Sequence, residues 1–453
     1  MTQRPEKDIP ISISEPDRVA NFLSSLGLQA ADLELLAIEK EWQKETPKKI
    51  TAPNLITALC EESVDGTPSF NDLASALHSL AHNNPSKQAV NERSNDPCHE
   101  MIKAVLQLAI ENKITTNAHP GDPEIFGKYE RVLVQDSTII KLPEWLFEEF
   151  SGVANGSSKV CNARIQAVYD LKSMSFVTFS IDCYSKNDLA AAPELELREG
   201  DLVLRDRGYL TKGEVKRHRD AGAYFIYRHK TGYLYLDAQT GEPLELLEIL
   251  RKQGRLDREV ILNDGLGTPV RLVAAPVDRT TADERRRKAK KETKGRNPSR
   301  AVLDLMDWTI FITNLSEKVE FDHLLAIYGL RWRIEIIFKA WKSTMNFHVI
   351  HRVSALELRI CLTASLITIT VGTGHLFKLC HARIYQQTGR DLSMIKFSKY
   401  LSKDIGRMRD ICQWLKEESL PDEQTNKALV KYCCYEKRKR LNYHQKQRQI
   451  STP

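Results

Sequence analysis

The segment Tyr328-Gly-Leu-Arg331-Trp-Arg-Ile-Glu335-Ile-Ile-Phe-Lys-Ala-Trp-Lys342 combines a broad apolar surface with a narrow polar stripe. Read as one α-helix at about 100° per residue, it gathers four polar side chains within an arc of roughly 60°: Tyr328, Arg331, Glu335 and Lys342. The remaining positions are mostly isoleucine, tryptophan and alanine, which predicts that the opposite face packs against a core. The stripe has two interpretations. It is either a surface row of ion pairs, or a metal-binding or catalytic carboxylate flanked by cations that hold an anionic substrate.

Length and composition describe a multidomain protein with an ordinary balance of apolar and charged residues. The chain has 453 residues, of which 42% are hydrophobic and 28% are charged, with a formal net charge of +6. This length predicts about two to four domains. The excess of basic residues is clustered, which favours a polyanionic partner such as nucleic acid. The N-terminus has no apolar signal core, so we expect a cytoplasmic protein.

The cysteines and the most apolar stretch each disfavour a class of protein. The nine cysteines include no CxxC pair, which argues against a zinc ribbon or a disulfide framework and predicts reduced thiols. The apolar stretch Ile360–Phe377 carries four threonines, two glycines and His375. We therefore predict a buried helix there and no association with a membrane.

The first quarter of the chain has the apolar spacing of helices. Residues 1–118 are predicted to form a helical N-terminal domain that binds DNA. Within it, Ser69–Leu80 predicts a capped helix, and Ser86 caps a second helix over Lys87–Arg93. Two short helices joined by a tight turn are typical of a helix-turn-helix, but also of an ordinary helical domain. In the first case the groove-facing candidates are Lys87, Gln88, Asn91 and Arg93.

After a linker at Asn117–Pro123 the apolar period becomes that of β-strands. Two of these strands end in a carboxylate, namely Arg131–Asp136 and Gly200–Asp206. From His229 to Asn314, short strands are punctuated by Gly and Pro, which predicts a β-rich insertion. The chain after Glu357 is again helical.

The insertion contains a dense run of positive charge. Nine Lys or Arg residues lie between Arg285 and Arg300, against only Glu292 among them. Such runs usually form a solvated face, but this density also suits the tracking of a phosphate backbone.

Three carboxylates stand out by position: Asp136, Asp206 and Glu335. The first two end strands and the third lies on the helix after the last strand, where functional groups of open sheets collect. Converging carboxylates repel one another unless cations neutralise them. All-oxygen ligands favour two Mg²⁺ ions, with Mn²⁺ as the alternative, and such pairs catalyse in-line phosphoryl transfer. Other strand-flanking carboxylates compete for this assignment: Asp170, Asp182, Asp201 and Asp307.

A family resemblance favours the first set. The spacing Tyr328-x2-Arg331-x3-Glu335-x6-Lys342 resembles the Y-R-E-K signature of transposases of the insertion sequence 4 family. Asp206-Arg-Gly-Tyr209 resembles that family's second-aspartate motif, and Gln135-Asp136-Ser-Thr138 resembles its first. The resemblance covers about residues 70–375.

The resemblance implies an α/β fold in which a ribonuclease H-like catalytic core is interrupted by a mainly β insertion, between helical N-terminal and C-terminal regions. The core would comprise residues 119–228 and 315–375, the insertion residues 229–314, and a helical C-terminal region residues 376–453, with a role in dimerisation. Asp136, Asp206 and Glu335 would hold two metal ions per active site.

Further residues take DNA-binding roles by the same resemblance. Tyr328, Arg331 and Lys342 would grip phosphates at the transposon end, together with Lys339 on the same helix. Trp308 lies in the last strand of the insertion, where relatives place an aromatic that stacks on a flipped base. A core tryptophan in a strand explains Trp308 equally well.

The activity implied is that of a nucleoid-associated DNA transposase. Such an enzyme cuts an insertion sequence at its terminal inverted repeats, forms and resolves hairpins, and joins the 3′ ends to target DNA. We expect a homodimer that pairs the two ends. The alternatives are a catalytically inactive, transposase-derived DNA-binding protein and a nuclease of the same fold that joins no strands.

Overall fold

The structure is a computed structural model. It describes residues 16–45, 47, 49–111, 126–152, 160–185, 192–193, 195–292, 297–344, 346, 348–404, 406–416, 423–436 and 440–450. The chain forms two compact units. Unit 1 comprises Met1–Pro120, Ile140–Ala163 and Ile337–Glu436, and unit 2 comprises Gly121–Ile139, Arg164–Ile336 and Lys437–Pro453. The predicted linker at Asn117–Pro123 lies outside the described residues, as do Lys294 and Arg296 of the basic run.

Unit 1 is built from helices. Those of its first segment are α1 (Pro16–Leu26), α2 (Ala30–Glu39), α3 (Ala52–Glu62), α4 (Phe70–Ala81), α5 (Lys87–Arg93) and α6 (Asp96–Glu111). Those of its last segment are α13 (Ala355–Ile369), α14 (Phe377–Thr388), α15 (Met394–Leu401), α16 (Gly406–Lys416) and α17 (Glu423–Tyr432).

The apolar stretch near residue 370 is the central helix of unit 1. A π-helical segment, Thr370–Leu376, joins α13 to α14, and the hydrophobic window within Ala355–Thr388 is 94% buried. Helix α13 packs against α3 and α6. The prediction of a buried helix is therefore confirmed. None of the nine cysteines, all of which lie in described segments, forms a disulfide.

The two short helices predicted near residue 80 are present with their caps. The Ser69 hydroxyl accepts a hydrogen bond from the Asp72 N–H at the start of α4, and the Ser86 hydroxyl accepts one from the Ala89 N–H at the start of α5. The Arg93 guanidinium donates to the Trp42 carbonyl and lies over the indole ring, so part of this side chain is engaged within the fold. Lys87, Gln88 and Asn91 are exposed on α5.

Unit 2 is organised around a nine-stranded sheet of the order β3-β2-β1-β4-β5-β9-β8-β7-β6. The strands, rich in Val, Ile, Leu, Phe and Tyr, are β1 (Val132–Lys141), β2 (Asn162–Asp170), β3 (Ser175–Cys183), β4 (Leu202–Arg205), β5 (Tyr224–Arg228), β6 (Tyr235–Asp237), β7 (Leu256–Leu262), β8 (Thr268–Pro276) and β9 (Trp308–Thr313). The sheet and its helices make a mixed α/β fold, as the sequence predicted. Strands β1, β4 and β5 are parallel, whereas β5, β9, β8, β7 and β6 pair antiparallel in succession.

The predicted β-rich insertion extends the same sheet as the strands that carry the aspartates. Its last strand, β9, pairs with β5 through Ile226↔Thr313 and Arg228↔Phe311. The basic run is helical, since α9 spans Arg279–Glu292. The other helices of unit 2 are α7 (Lys212–Asp220), α8 (Leu246–Gln253), α10 (Arg300–Asp304), α11 (Phe321–Gly329) and α18 (Tyr443–Ile450).

The stretch from Tyr328 to Lys342 is not one helix, so that prediction was wrong. Helix α11 ends at Gly329, and α12 spans Trp332–Thr344. Between them the chain makes tight turns, in which the Arg331 N–H donates to the Tyr328 carbonyl. Glycine is a poor residue inside a helix, which is consistent with a break at this point. The division between the two units falls after Ile336, within α12.

Candidate functional site

Asp136 and Asp206 lie side by side at one edge of the sheet. The last paired residues of the parallel strands β1 and β4 are Gln135 and Arg205, so the two aspartates directly follow that pair. Adjacent strands lie about 4.8 Å apart, and side chains alternate between faces, so residues at equivalent positions point the same way. Asp136 is not at a strand end as predicted, because β1 continues to Lys141. It is the pairing with β4 that ends there.

Arg331 joins the first aspartate to Glu335. Its guanidinium donates to the Asp136 carboxylate at 3.2 Å and to the Glu335 carboxylate at 2.8 Å. Glu335 lies one turn after Arg331, at the start of α12, which places the two side chains on one side of the chain. A single cation therefore stands between two carboxylates from distant parts of the sequence.

The pKa values of Asp136 and Glu335 are raised in part by neighbouring carboxylates. Burial raises the pKa of Asp136, and neighbouring Asp206 raises it further, whereas the Ser137 N–H and the Arg331 guanidinium lower it. Burial also raises the pKa of Glu335; Arg331 lowers it, and Asp136 and Asp206 raise it. These effects are consistent with three acidic side chains close enough to repel one another.

Tyr328 is anchored beside this group. Its hydroxyl donates to the Arg205 carbonyl at 3.3 Å, immediately before Asp206, and its ring lies 5.8 Å from the Arg331 guanidinium carbon. The ring also packs against Phe311 of β9. Burial raises the pKa of Tyr328 to about 12, so the hydroxyl keeps its proton near neutral pH.

The acidic group opens into a cleft of unit 2 with a volume of about 780 Å³. Asp136, Asp206 and Glu335 all line it. Its other charged lining residues are cationic: Arg207, Arg228, Arg285, Lys288 and Arg331. A carboxylate cluster within a basic cleft suits a polyanion that binds along the walls while its reacting group meets the acidic end.

Arg228 is the most informative of these cations. It ends β5, it is half-buried, and burial lowers its pKa. No hydrogen bond or ion pair of its guanidinium occurs within the described part of the chain. Even partial burial of a charge without such a partner is costly. Arg228 is therefore suited to an anion that enters the cleft.

The competing carboxylates have structural partners instead. Asp201 forms an ion pair with Arg131, and Asp307 forms one with Arg286. Asp170 accepts a hydrogen bond from the Val132 N–H at 2.9 Å, and Asp182 does not line the cleft. The geometry thus separates Asp136, Asp206 and Glu335 from carboxylates that the sequence could not exclude.

Comparison with known families decides the class of protein. The model of the transposase DDE domain matches residues 128–368, which include all three carboxylates and the cationic residues of the cleft. The chain is a DDE transposase. It belongs to a family of enzymes that cut and transfer DNA strands, and that generally use divalent metal ions.

Named relatives agree with this membership. The transposase is 28% identical over 350 residues to the transposase for insertion sequence element IS231E of Bacillus thuringiensis subsp. finitimus, covering 72% of each chain. It is 26% identical over 385 residues to that for IS231F of Bacillus thuringiensis subsp. israelensis, covering 79% of this chain and 78% of the relative. The transposase for IS1151 of Clostridium perfringens is 25% identical over 323 residues, covering 65% of this chain and 67% of its own.

Among solved structures, the cryo-EM structure of a piggyBac transposase synaptic complex with hairpin DNA covers 95% of this chain and 87% of its own. The identity is 12% and the TM-score is 0.42. This alignment is too weak to support a conclusion about the transposase.

The chemistry of the acidic group suits a divalent cation. Its donors are carboxylate oxygens, which are the ligands preferred by Mg²⁺ and Mn²⁺. The Arg331 guanidinium already lies between Asp136 and Glu335, so the geometry accepts positive charge at this point.

The remaining residues that were predicted to bind DNA are Lys339, Lys342 and Trp308. Lys339 and Lys342 lie on α12, about one and two turns after Glu335; Lys339 is exposed, and burial lowers the pKa of Lys342. The position of Trp308 is compatible both with stacking on a base and with a place in the core. It lines the cleft, but it also packs against the core beneath the insertion strands, and its indole N–H donates to the Gly254 carbonyl at 2.9 Å.

Several cleft residues were missed by reasoning from the sequence. Arg228 is the last residue of β5. Carboxylates were selected because they lie near strand ends, and the same criterion applied to cations would have selected Arg228. Trp332 was assigned to the apolar core face, but its side chain is 57% exposed and lines the cleft. Trp332 lies three residues before Glu335 in α12, so the i, i+3 spacing could have placed it on the side of the cleft.

Proposed function

We propose that this transposase cuts an insertion sequence at its terminal inverted repeats and joins the 3′ ends to target DNA through a hairpin intermediate. Asp136, Asp206 and Glu335 hold two Mg²⁺ ions, for which Mn²⁺ can substitute. The observation that carries the proposal is the bridge from Arg331 to Asp136 and Glu335, beside Asp206, at the acidic end of a cationic cleft. Together with the spacing of Tyr328, Arg331, Glu335 and Lys342, it supports membership of the insertion sequence 4 family.

The strand order supports a ribonuclease H-like catalytic core. Strands β1, β2 and β3 follow one another along the sheet, while β4 and β5 lie on the other side of β1 and run parallel to it. This arrangement requires the chain to cross from one edge of β1 to the other between β3 and β4. Asp136 lies on β1 and Asp206 directly follows the neighbouring strand β4, which supports the proposal that both contact one ion. We propose the predicted domain boundaries on the same basis.

Bound divalent ions would activate the attacking water or 3′-hydroxyl and stabilise charge on the leaving oxygen. The residues of the chain supply the remaining functions. Arg228 provides an unpaired guanidinium for a phosphate near Asp206, because it has no partner to exchange for that phosphate. Arg331, which donates to Asp136 and Glu335 in this structure, would be available for a second phosphate once those carboxylates held ions. Tyr328 fixes the backbone before Asp206 through the Arg205 carbonyl.

Other parts of the chain contact DNA beyond the reacting phosphate. Helix α9 presents the exposed residues Arg287, Lys288, Lys290 and Lys291, which we propose as phosphate contacts. Arg285 and Arg286 of the same helix serve the fold, because they bind Thr309 and Asp307. Lys339, Lys342 and Trp308 contact the transposon end. We also propose that α4 and α5 contact the inverted repeats, that two copies of the chain pair two ends, and that the enzyme acts at the nucleoid.

The test is cleavage of DNA that carries the coding sequence with its genomic flanks. Purified wild-type protein should cut at the inverted repeats with Mg²⁺ and not with EDTA. Denaturing gels should show hairpin ends, and added target plasmid should yield joined product. Asp136→Asn, Asp206→Asn and Glu335→Gln should each abolish cutting, whereas the matched control Asp182→Asn, a strand carboxylate outside the cleft, should cut normally.

Each other outcome rejects a stated part of the proposal. Specific binding of the flanks without cutting identifies an inactive, transposase-derived DNA-binding protein. Cutting without joined product identifies a nuclease. Cutting by the Glu335→Gln protein at the wild-type rate contradicts the assignment of the triad.

A further inference from the structure

A buried chain of hydrogen bonds lies behind the two aspartates. The Gln135 amide nitrogen donates to Gln166 Oε1 at 3.2 Å, and the Tyr209 hydroxyl donates to the same oxygen at 3.1 Å. These three side chains are at most 3% exposed, and Gln166 is fully buried. Two donors from different segments thus converge on one acceptor in a region that water does not reach.

Each donor is coupled to one of the aspartates. Gln135 directly precedes Asp136 on β1. Tyr209 closes the short 3₁₀ turn after Asp206, in which its N–H donates to the Asp206 carbonyl at 3.0 Å. The chain of contacts therefore runs from Asp206 through Tyr209, Gln166 and Gln135 to Asp136. The backbone pairing of Gln135 with Arg205 connects the two ends of this chain of contacts.

The backbone pairing alone does not fix the second aspartate. Strand β4 ends at Arg205, so Asp206 lies just outside the ladder and its backbone is free of it. A shared metal ion requires its ligands to be held to about 0.5 Å. Buried side chains that are hydrogen-bonded to one another supply rigidity of this kind.

We propose that Gln166 is a positioning residue of the active site, which sets the separation of Asp136 and Asp206 through Gln135 and Tyr209. This inference rests on the proposed function, since it assumes that the two aspartates share a metal ion. It assigns a role to Gln166, a β2 residue outside every motif of the sequence. It also assigns the tyrosine of Asp206-Arg-Gly-Tyr209 to the underside of the site, and not to DNA.

The experiment measures Mn²⁺ binding by isothermal titration to the full chain without DNA, alongside thermal unfolding. Tyr209→Phe removes only the hydroxyl oxygen, which hydrogen-bonds to Gln166 and also to the Ser137 side chain. Gln166→Leu removes the shared acceptor, and Gln166→Glu keeps an acceptor oxygen of the same shape. Thr313→Val is the matched control, because it deletes two other buried hydrogen bonds of unit 2. The Thr313 hydroxyl donates to the Phe225 carbonyl and accepts from the Leu315 N–H.

We expect Tyr209→Phe and Gln166→Leu to weaken Mn²⁺ binding about tenfold or more, as loss of groups that orient metal ligands typically does. Gln166→Glu should retain most of the affinity, and Thr313→Val all of it. The Mg²⁺ concentration needed for half-maximal cleavage should rise by the same factor. If Gln166→Leu does not fold, Tyr209→Phe decides the question.

The results separate this inference from the proposed function. Wild-type protein that binds no Mn²⁺ at Asp136 and Asp206 contradicts both. Normal wild-type binding with unchanged affinity in Tyr209→Phe overturns only the role of Gln166. Equal loss of affinity in Thr313→Val also overturns it, because the effect then follows from general destabilisation.

Discussion

Replacing Arg331 by methionine should tighten metal binding while weakening the fold. In the wild-type chain, the guanidinium forms charge-assisted hydrogen bonds of 3.2 Å and 2.8 Å with Asp136 and Glu335. Such a bond contributes about 1.5–3 kcal/mol. The two carboxylate side chains are 23% and 29% exposed, so solvent screens both bonds and the lower value applies. Arg331→Met should therefore lower the free energy of unfolding by roughly 3 kcal/mol without metal.

Metal binding should respond in the opposite direction. A divalent ion at these oxygens must displace at least one Arg331 bond in the wild type, at a cost of about 1.5 kcal/mol. The methionine variant avoids this cost, and about 1.4 kcal/mol is a factor of ten in affinity. We therefore expect Arg331→Met to bind Mn²⁺ about tenfold more tightly in the absence of DNA. Saturating Mn²⁺ should also raise its unfolding temperature more than that of the wild type.

The assay is isothermal titration of Mn²⁺ into DNA-free protein, with thermal unfolding of the same samples. Arg228→Met is the control, because it removes a cation from the same cleft without breaking a bond to a carboxylate. Its affinity for Mn²⁺ should change by less than about threefold. Equal or weaker Mn²⁺ binding by Arg331→Met would refute the view that this guanidinium stands in for a metal ion.

Three further predictions concern the cleft and its support. Arg228→Ala should weaken binding of the transposon end about tenfold or more, because a charge-assisted contact with a phosphate is lost. The control Arg255→Ala, at an exposed position, should leave binding unchanged, and gel-shift titration measures both affinities. Trp332→Ala should weaken DNA binding at unchanged thermal stability, because this residue is 57% exposed. Trp308→Ala should also lower the free energy of unfolding, by less than the roughly 3–5 kcal/mol typical of a fully buried tryptophan, because Trp308 is half-buried. The reverse pattern contradicts the placement of these rings. Burial lowers the pKa of His218 from 6.5 to about 4, so between these pH values the unfolded chain binds a proton that the folded chain excludes. This residue should therefore lower the free energy of unfolding by about 3 kcal/mol as the pH falls from 6.5 to 4. Urea unfolding of wild type and His218→Gln should show a shallower pH dependence in the variant, and identical slopes would contradict it.

Local features of the fold were predictable because they depend on neighbouring residues. The capping serines of α4 and α5 and the buried helix after Ala355 follow from short-range spacing. The succession of strands along the chain, and the carboxylates near the ends of two of them, follow from the change of apolar period. The family resemblance then selected Asp136, Asp206 and Glu335 from several carboxylates of equal local quality.

The rest required contacts between distant segments. Nothing near Asp201 or Asp307 in the sequence shows that Arg131 and Arg286 engage them. The helical reading of Tyr328–Lys342 failed at Gly329, where a weak helix former meets the turn that brings Arg331 to Asp136. The role of β9 as partner of β5, which joins the insertion to the sheet, is also a pairing of strands that lie about eighty residues apart.

The central claim is that Asp136, Asp206 and Glu335 together bind catalytic metal ions. The most direct measurement is anomalous diffraction from crystals of the full chain soaked in MnCl₂, with EDTA-treated crystals as the control. The proposal predicts anomalous peaks within about 2.5 Å of oxygens from both Asp136 and Asp206, with Glu335 completing the site and Arg331 displaced. Peaks elsewhere, or Arg331 still bound to both carboxylates at saturating Mn²⁺, would contradict it.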